Sequence, residues 1–329
     1  MLKLFIIHHR FRKNRMKTPE NETGNSMAPH LALLGVQAFF GSLPVIAKVV
    51  LNVLPSTALV GFRVGLTALV LFVFQRSRGN LQLRELGDYW RLAVLSLFGV
   101  TLNQLLFIGG LSLTKASNTS LLSVTIPIFT LLVSAILRTE KLRVVKVFGI
   151  LLAAAGVVFL LDPRNASFSS ETTAGDILII LNSLSYGIYV ATSKTVITRN
   201  GAMRSITWIF IFSSLVCVPL GSFSLSRVSI SEITPTIWLL VLYISVIATA
   251  VPYFLNAWAL ARVNPSTVAV YVYLQPLIGF ILAVVFLGEK IDIKFAVASV
   301  LIFAGVLLAT RAVPYRAKSA AKVLDPAEP

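Results

Sequence analysis

The chain has 329 residues, of which 56% are hydrophobic and only 13% are charged, and its formal net charge is +16. A soluble protein carries roughly a quarter charged residues, so this composition excludes an ordinary water-soluble globular protein. The single cysteine, Cys217, excludes a disulfide framework and a cysteine-based metal cluster.

Long apolar stretches follow one another along nearly the whole chain. A helix needs about 20 mostly apolar residues to cross a hydrocarbon core about 30 Å thick. The strict alternation typical of transmembrane β-strands is not found. The sequence therefore predicts an all-α membrane protein with ten transmembrane helices. In chain order, the predicted spans are about 31–51, 56–75, 91–111, 116–137, 143–161, 176–194, 205–223, 236–258, 265–287 and 293–310.

Basic residues are concentrated on one side of the predicted membrane. If the N-terminal tail is cytoplasmic, the outer loops hold few of the Lys and Arg residues, and most fall on cytoplasmic segments. This positive-inside bias predicts that both termini are cytoplasmic, with anionic membrane lipids as contacts. The short loops and the lack of a cleavable signal or organelle address suggest a plasma (inner) membrane. No basic cluster interleaved with aromatic residues suggests binding to nucleic acid.

An internal repeat divides the chain into two halves. A shift of 149 residues aligns 117–161 with 266–310, placing Pro127 on Pro276 and Gly156 on Gly305. Five helices per half is an odd number, so the second half must be inverted relative to the first, an arrangement that recurs in secondary transporters. The predicted domains are a disordered cytoplasmic tail (1–30), a first five-helix repeat (31–161), an external linker (162–175), a second repeat (176–311) and a cytoplasmic tail (312–329).

Short motifs occur in a fixed order along both halves. They are Gly41-Ser42-Leu43-Pro44 with Lys48, then Arg63, Asn103-Gln104, Gly110-Leu111, Ala116-Ser117-Asn118, Pro127 and Glu140-Lys141, followed by Asn264-Pro265-Ser266, Gln275-Pro276, Gly288-Glu289-Lys290 and Gly305. Over about residues 31–311, this order resembles the EamA-type members of the drug/metabolite transporter superfamily. The resemblance implies an exporter or exchanger of amino acids, nucleobases, sugars or other metabolites. Phe40 stands where the family often has tryptophan.

Polar or aromatic side chains recur at helical spacing in four spans. The four series are Gln37, Gly41, Pro44 and Lys48; Asn182, Tyr186, Tyr189 and Ser193; Ser245, Thr249, Tyr253 and Asn256; and Thr267, Tyr271 and Gln275. Polar groups within a membrane usually face the bundle interior or a wet cavity, although they also join helices by hydrogen bonds. We predict a cavity for a small metabolite, with these substrate-binding residues: Gln37, Lys48, Arg63, Asn103, Gln104, Asn182, Tyr186, Tyr189, Tyr253, Asn256, Tyr271 and Gln275.

Among the basic residues within predicted spans, Lys48, Arg63 and Lys194 are singled out. The two lysines are within about a turn of a helix end, so we predict that they snorkel to the interface. Arg63 lies deeper and keeps its charge, so it needs carbonyls, water or an anion. One hypothesis is that Arg63, together with Lys48, binds a carboxylate or phosphate of the substrate. The alternative is that it binds backbone carbonyls freed near Pro44.

Acidic residues are predicted only at the ends of spans. Asp176 is placed at a mouth, and Glu140 and Glu289 at helix ends, where they pair with a neighbouring lysine or have a structural role. Many proton-coupled carriers use a buried carboxylate as the proton relay. The sequence therefore favours exchange or facilitated movement over proton antiport.

The prolines and the missing catalytic motifs complete the prediction. Pro127 and Pro276 occupy equivalent positions within spans, and we predict that they are hinges. No phosphate-binding loop, metalloprotease motif or nucleophile elbow is present, so the sequence predicts no enzyme activity, no cofactor and no metal. The functional prediction is a secondary transporter; a channel or scaffold without saturable transport is the alternative.

Overall fold

The computed structural model describes residues 27–161, 170–228, 233–278, 281 and 293–311. Within these ranges the chain is almost entirely helical and contains no strand. The all-α fold predicted for a membrane protein of many spans is therefore confirmed. Most of the predicted tails, part of the predicted linker, and the Gly288-Glu289-Lys290 motif lie outside the described residues.

The described helices follow the predicted spans closely. They are α1 (Ala28–Leu51), α2 (Ser56–Arg78), α3 (Leu86–Ser96), α4 (Leu102–Leu113), α5 (Ala116–Leu122), α6 (Thr125–Ile136), α7 (Val144–Leu161), α8 (Ser170–Asn200), α9 (Ala202–Leu225), α10 (Pro235–Ser245), α11 (Val251–Leu260), α12 (Pro265–Val270) and α13 (Ile293–Arg311). In the described part, nine helical stretches are long and apolar enough to cross a membrane. The predicted span at 265–287 begins with α12 and is only partly described.

Irregular turns interrupt the spans at matching places in the two halves. A π-helical turn, Leu97–Thr101, joins α3 to α4, and another, Val246–Ala250, joins α10 to α11. A 3₁₀ turn, Tyr271–Leu274, follows α12. π-helical turns inside helices often occur at functional sites. The hydropathy pattern alone did not predict these turns.

Two groups of helices form the centre of the bundle. Group one consists of α4, α6 and α8, in which α8 packs on both of the others. Group two consists of α1, α11 and α12, in which α11 packs on both α1 and α12, and α12 also contacts α6 of group one. The pairs α2 with α9 and α7 with α13 pack tightly beside these groups. We call the end of the bundle at which α1 begins the near end, and the opposite end the far end.

Glycine permits the close approach of the paired outer helices. A Cβ atom added to Gly61 of α2 would lie 2.9 Å from Cα of Gly221 in α9, and one added to Gly149 of α7 would lie 2.6 Å from the backbone N of Ala309 in α13. These neighbours are backbone atoms, which cannot rotate away as a side chain can. Small residues of this kind let helices approach closely in lipid, where packing drives helix association.

Replacing Gly61 tests this packing. Gly61→Ala is expected to destabilise the protein by about 1–3 kcal/mol, because overpacking forces the α2 and α9 backbones apart. The matched control is Gly35→Ala in α1, where an added Cβ has no atom within 4 Å. Thermal unfolding in detergent micelles measures both. Equal melting temperatures for the two variants would contradict close packing at Gly61.

Candidate functional site

A cavity lies between group one and group two, in the middle of the bundle. Its volume is about 70 Å³, enough for a few water molecules. Apolar side chains from both groups form part of the wall, among them Phe40 and Phe107. Nine of the twelve predicted substrate-binding residues also line it: Gln37, Arg63, Asn103, Gln104, Asn182, Tyr186, Tyr253, Asn256 and Gln275.

Tyr253 of α11 connects the two groups across the cavity. Its hydroxyl accepts a hydrogen bond from Nε2 of Gln104 at 2.6 Å and donates to Oδ1 of Asn103 at 3.0 Å. A second bond crosses nearby, from Nδ2 of Asn256 to the hydroxyl of Tyr186 at 2.5 Å. Buried polar groups need such partners because losing water costs free energy. These hydrogen bonds therefore join group one to group two across the cavity.

Amide pairs organise the wall within each group. Nδ2 of Asn103 donates to Oδ1 of Asn182 at 2.6 Å in group one. Nε2 of Gln275 donates to Oε1 of Gln37 at 2.8 Å in group two. The two interpretations of the polar series, a cavity wall and bonds between helices, thus both apply to these residues.

Arg63 reaches the cavity from α2 and is 1% exposed. Its Nε donates to Oγ1 of Thr249 at 2.7 Å, and Thr249 donates its own proton to the carbonyl of Ile244 at 2.7 Å. Nε of Arg63 therefore does not bind a carbonyl near Pro44, as the predicted alternative had it. Its acceptor is the Thr249 hydroxyl, in the π-helical turn Val246–Ala250. Nη1 of Arg63 is buried without a hydrogen-bond partner among the described residues.

The other three predicted residues do not line the cavity. Lys48 bonds at the far end of the bundle, with Nζ donating to the carbonyl of Thr114 at 2.7 Å. The hydroxyl of Tyr271 bonds Nδ1 of His30 at 2.7 Å, at the near end. The ring of Tyr189 packs directly against Gly99. Helical spacing places these side chains on the correct faces, but it does not give their distance from the cavity.

Lys194 makes the same kind of contact as Lys48, at the other end. Its Nζ donates to the carbonyl of Val263 at 2.7 Å. Thr114 and Val263 are 149 residues apart, and each lies in the connection between two successive spans. Each Nζ is held by a carbonyl in a connection that follows a helix of the other group, and the prediction that both lysines snorkel to the interface stays a prediction.

A buried ion pair at the near end was not predicted. Lys146 of α7 pairs with Glu140, and Nζ of Lys146 also donates to Oγ of Ser266 in α12 at 2.7 Å. The hydroxyl of Ser266 in turn bonds the Glu140 carboxylate at 2.7 Å. For Glu140 the sequence predicted either pairing with the neighbouring Lys141 or a structural role. The true partner is six residues away, a spacing that no pattern along the chain indicates.

Asp176 is placed differently from the prediction. Helix α8 begins at Ser170, so Asp176 lies within the helix and is 7% exposed. Its Oδ1 accepts hydrogen bonds from Thr114 Oγ1 at 2.6 Å and from Asn118 Nδ2 at 3.1 Å. Asp88 is also buried in a candidate span, near the start of α3. Both carboxylates lie near the start of their spans, and exchange or facilitated movement over proton antiport stays a prediction.

The predicted hinge prolines both follow an irregular turn. Pro127 lies in the first turn of α6, after the break that separates α5 from α6. Pro276 follows the 3₁₀ turn Tyr271–Leu274. A helix start tolerates proline because the missing N–H would have no helical partner there. Among the described residues, no three His, Cys, Asp or Glu side chains come together as a metal site.

Comparison with known proteins gives matches along both halves. Residues 27–162 and 173–311 each match the EamA-like transporter family. An uncharacterized transporter of Archaeoglobus fulgidus is 30% identical over 68% of this chain and 77% of its own length. Protein WALLS ARE THIN 1 of Arabidopsis thaliana is 25% identical over 84% of this chain and 80% of its own length. A solved crystal structure with 20% identity has the same fold, with a TM-score of 0.70 over 86% of this chain and 96% of that one.

Proposed function

The chain belongs to the EamA-like transporter family, and from this premise we propose that this membrane transporter is a secondary carrier, an exporter or exchanger of a small metabolite. Transport takes place by alternating access around the central cavity. Amino acids and related compounds are the first class of solute to test. The membrane is a plasma (inner) membrane with both termini cytoplasmic, a proposal that the distribution of Lys and Arg supports.

One observation carries this proposal: a polar cavity lies between two groups of helices in the middle of the bundle. Asn103 and Gln104 of group one meet Tyr253 of group two across it. A carrier needs a site that two movable parts share, because the site must be exposed to each side in turn. Secondary transporters hold substrate near the midplane between their repeats.

We propose that the two halves form an inverted repeat, and paired features support it. The π-helical turns Leu97–Thr101 and Val246–Ala250 are 149 residues apart, the same shift that aligns the sequence of the two halves. The contacts of Lys48 with Thr114 and of Lys194 with Val263 occur at opposite ends of the bundle. An inverted repeat produces such a relation, since equivalent contacts then lie at opposite ends.

The small volume of the cavity supports an occluded conformation. Sites for drug-sized ligands usually measure about 300–1,000 Å³, whereas this cavity measures about 70 Å³. In the proposed cycle, one lysine contact breaks as its end opens while the other remains closed. Pro127 and Pro276 are the proposed hinges, because each follows a turn that already interrupts its span.

Counterflow in proteoliposomes tests the proposed function. Vesicles are preloaded in turn with pools of amino acids, nucleobases, sugars and organic anions, and uptake of a labelled trace of each pool is followed. A carrier accumulates the labelled solute against its unlabelled form. A channel, the second candidate, equilibrates the label without this overshoot. Absence of counterflow for every pool, with the protein shown to be folded and inserted, would contradict the proposal.

A further inference from the structure

We propose that the cavity binds a monoanionic carboxylate that also carries an N–H or O–H group, with the carboxylate on the free edge of the Arg63 guanidinium. This inference rests on the proposed function, because it identifies the bound compound with the class of solute that the protein carries. The binding itself can be measured without transport. Four observations support it.

The first observation is a buried charge without a counter-ion. Arg63 is 1% exposed, and no carboxylate is among the described residues that line the cavity. A guanidinium remains protonated in proteins. An isolated charge in an apolar interior is costly unless it is paired and hydrogen-bonded. The cavity therefore has one positive charge that a single negative charge from a ligand would balance.

The second observation is the orientation of the guanidinium. Nε is committed to Thr249, whose hydroxyl proton is already used on Ile244. Thr249 can therefore act toward Arg63 only as an acceptor, which fixes the side chain at Nε. Nη1 is left buried and without a partner in the part of the chain that the structure describes. A buried unsatisfied donor in a native structure requires an explanation, and an absent ligand supplies one. The guanidinium fork matches a carboxylate by two parallel hydrogen bonds.

The third observation is a free acceptor in the same cavity. Nε2 of Gln104 is held by the Tyr253 hydroxyl at 2.6 Å, while Oε1 of Gln104 is buried and has no partner among the residues with described positions. Tyr253 is fixed in turn by Asn103. An amide oxygen accepts from N–H or O–H groups. A ligand that satisfies both free groups combines a carboxylate with such a donor, as amino acids and hydroxy acids do.

The fourth observation is the apolar part of the wall. Phe40, Phe107 and Ile126 line the cavity beside these polar groups. An apolar or aromatic body on the ligand suits such a wall. A dianionic phosphate fits less well, because Arg63, the one cation among the described lining residues, would leave it with an excess negative charge in a low-dielectric site. A purely cationic amine would repel Arg63.

The test uses matched small solutes and the melting temperature of the purified protein in detergent. The probes are lactate and lactamide, and acetate and acetamide, at equal ionic strength set with sodium chloride; methylammonium and inorganic phosphate are added as further arms. A ligand that binds only the folded state raises the melting temperature with concentration. We expect each acid, but not its amide, to raise it, with lactate more effective than acetate because the proposal places its hydroxyl on Oε1 of Gln104.

Two variants locate the effect. Arg63→Gln is expected to weaken the apparent affinity for lactate at least about tenfold, since hydrogen bonds to a charged group contribute about 1.5–3 kcal/mol. The matched control is Arg78→Gln, an exposed arginine at the end of the same helix, which is expected to retain the response. If Arg63→Gln does not fold, the comparison of acids with amides in the unaltered protein still decides the question.

Several results would overturn the inference. They are equal stabilisation by acid and amide, no stabilisation by either acid, a stronger response to phosphate or methylammonium than to lactate, and a lactate response retained by Arg63→Gln. Stabilisation by lactate without counterflow of any pool would support the anion site and contradict the carrier. Counterflow of a neutral solute without stabilisation by carboxylates would support the carrier and contradict the anion site.

Discussion

Lys48→Met and Lys194→Met are expected to change access to the central cavity in opposite directions. Lys48 holds the carbonyl of Thr114 at the far end, and Lys194 holds the carbonyl of Val263 at the near end. Removing a charge-assisted hydrogen bond of about 1.5–3 kcal/mol from one end favours opening of that end by about tenfold or more. The Lys48 variant is expected to open the far end and the Lys194 variant the near end.

Thiol labelling measures this change. Cys217 is the one cysteine of the chain and is buried, so Cys217→Ala gives a background without cysteine. Ser123 lines the cavity, and Ser123→Cys in that background reports its accessibility. A membrane-impermeant thiol reagent applied to the far side should react about tenfold faster in the Lys48→Met variant. Reagent applied to the near side should react faster in the Lys194→Met variant.

Two exposed lysines supply the controls. Lys115 lies next to Thr114, and Lys141 lies close to the near-end ion pair, and both are exposed. Lys115→Met and Lys141→Met change the local charge without removing a contact between the groups, so labelling rates should remain at the background level. If both Lys48→Met and Lys194→Met increased labelling from the same side, the two contacts could not close opposite ends. The inverted relation between the halves would then be contradicted.

Much of the fold follows from the sequence because the physics is local. A hydrocarbon core requires every backbone group to bond internally, so long apolar runs become helices. The ends of helices are less determined. Helix α8 begins at Ser170 rather than near residue 176, because the polar segment before Asp176 is helical although hydropathy does not favour it. The π-helical turns were missed because they do not alter the apolar pattern.

The cavity was predictable in part, for a comparable reason. The 3.6-residue period indicates which side chains share a face, and Gln37, Tyr186 and Asn256 do face the cavity. Depth along a helix axis is not in that pattern, so Lys48 was assigned to the cavity although it lies near the far end. The missed ion pair has another cause. Glu140 lies in the connection before α7 and Lys146 lies in α7, so no helical period relates them, and Ser266, which bonds both, is more than 100 residues from Glu140.

Glu140→Gln is expected to destabilise the protein by about 3–5 kcal/mol, because it leaves the Lys146 ammonium buried without its counter-ion. The Lys146 side chain is 0% exposed and that of Glu140 is 6% exposed. Ser266 also loses a charged acceptor for its hydroxyl. Unfolding in mixed micelles, followed by circular dichroism, measures the free energy of unfolding.

A double variant and an exposed carboxylate separate charge burial from a general loss of packing. Glu140→Gln with Lys146→Met removes both charges and is expected to recover most of the lost stability, because no buried charge then remains without its counter-ion. Glu85, 52% exposed and paired with Arg199 at 2.8 Å, is the control: Glu85→Gln should cost no more than about 1 kcal/mol. A cost for Glu140→Gln as small as that for Glu85→Gln would mean that water reaches Lys146. Because the Ser266 contact joins the segment after α6 to α12 of group two, that result would also contradict a near end that is closed in this conformation.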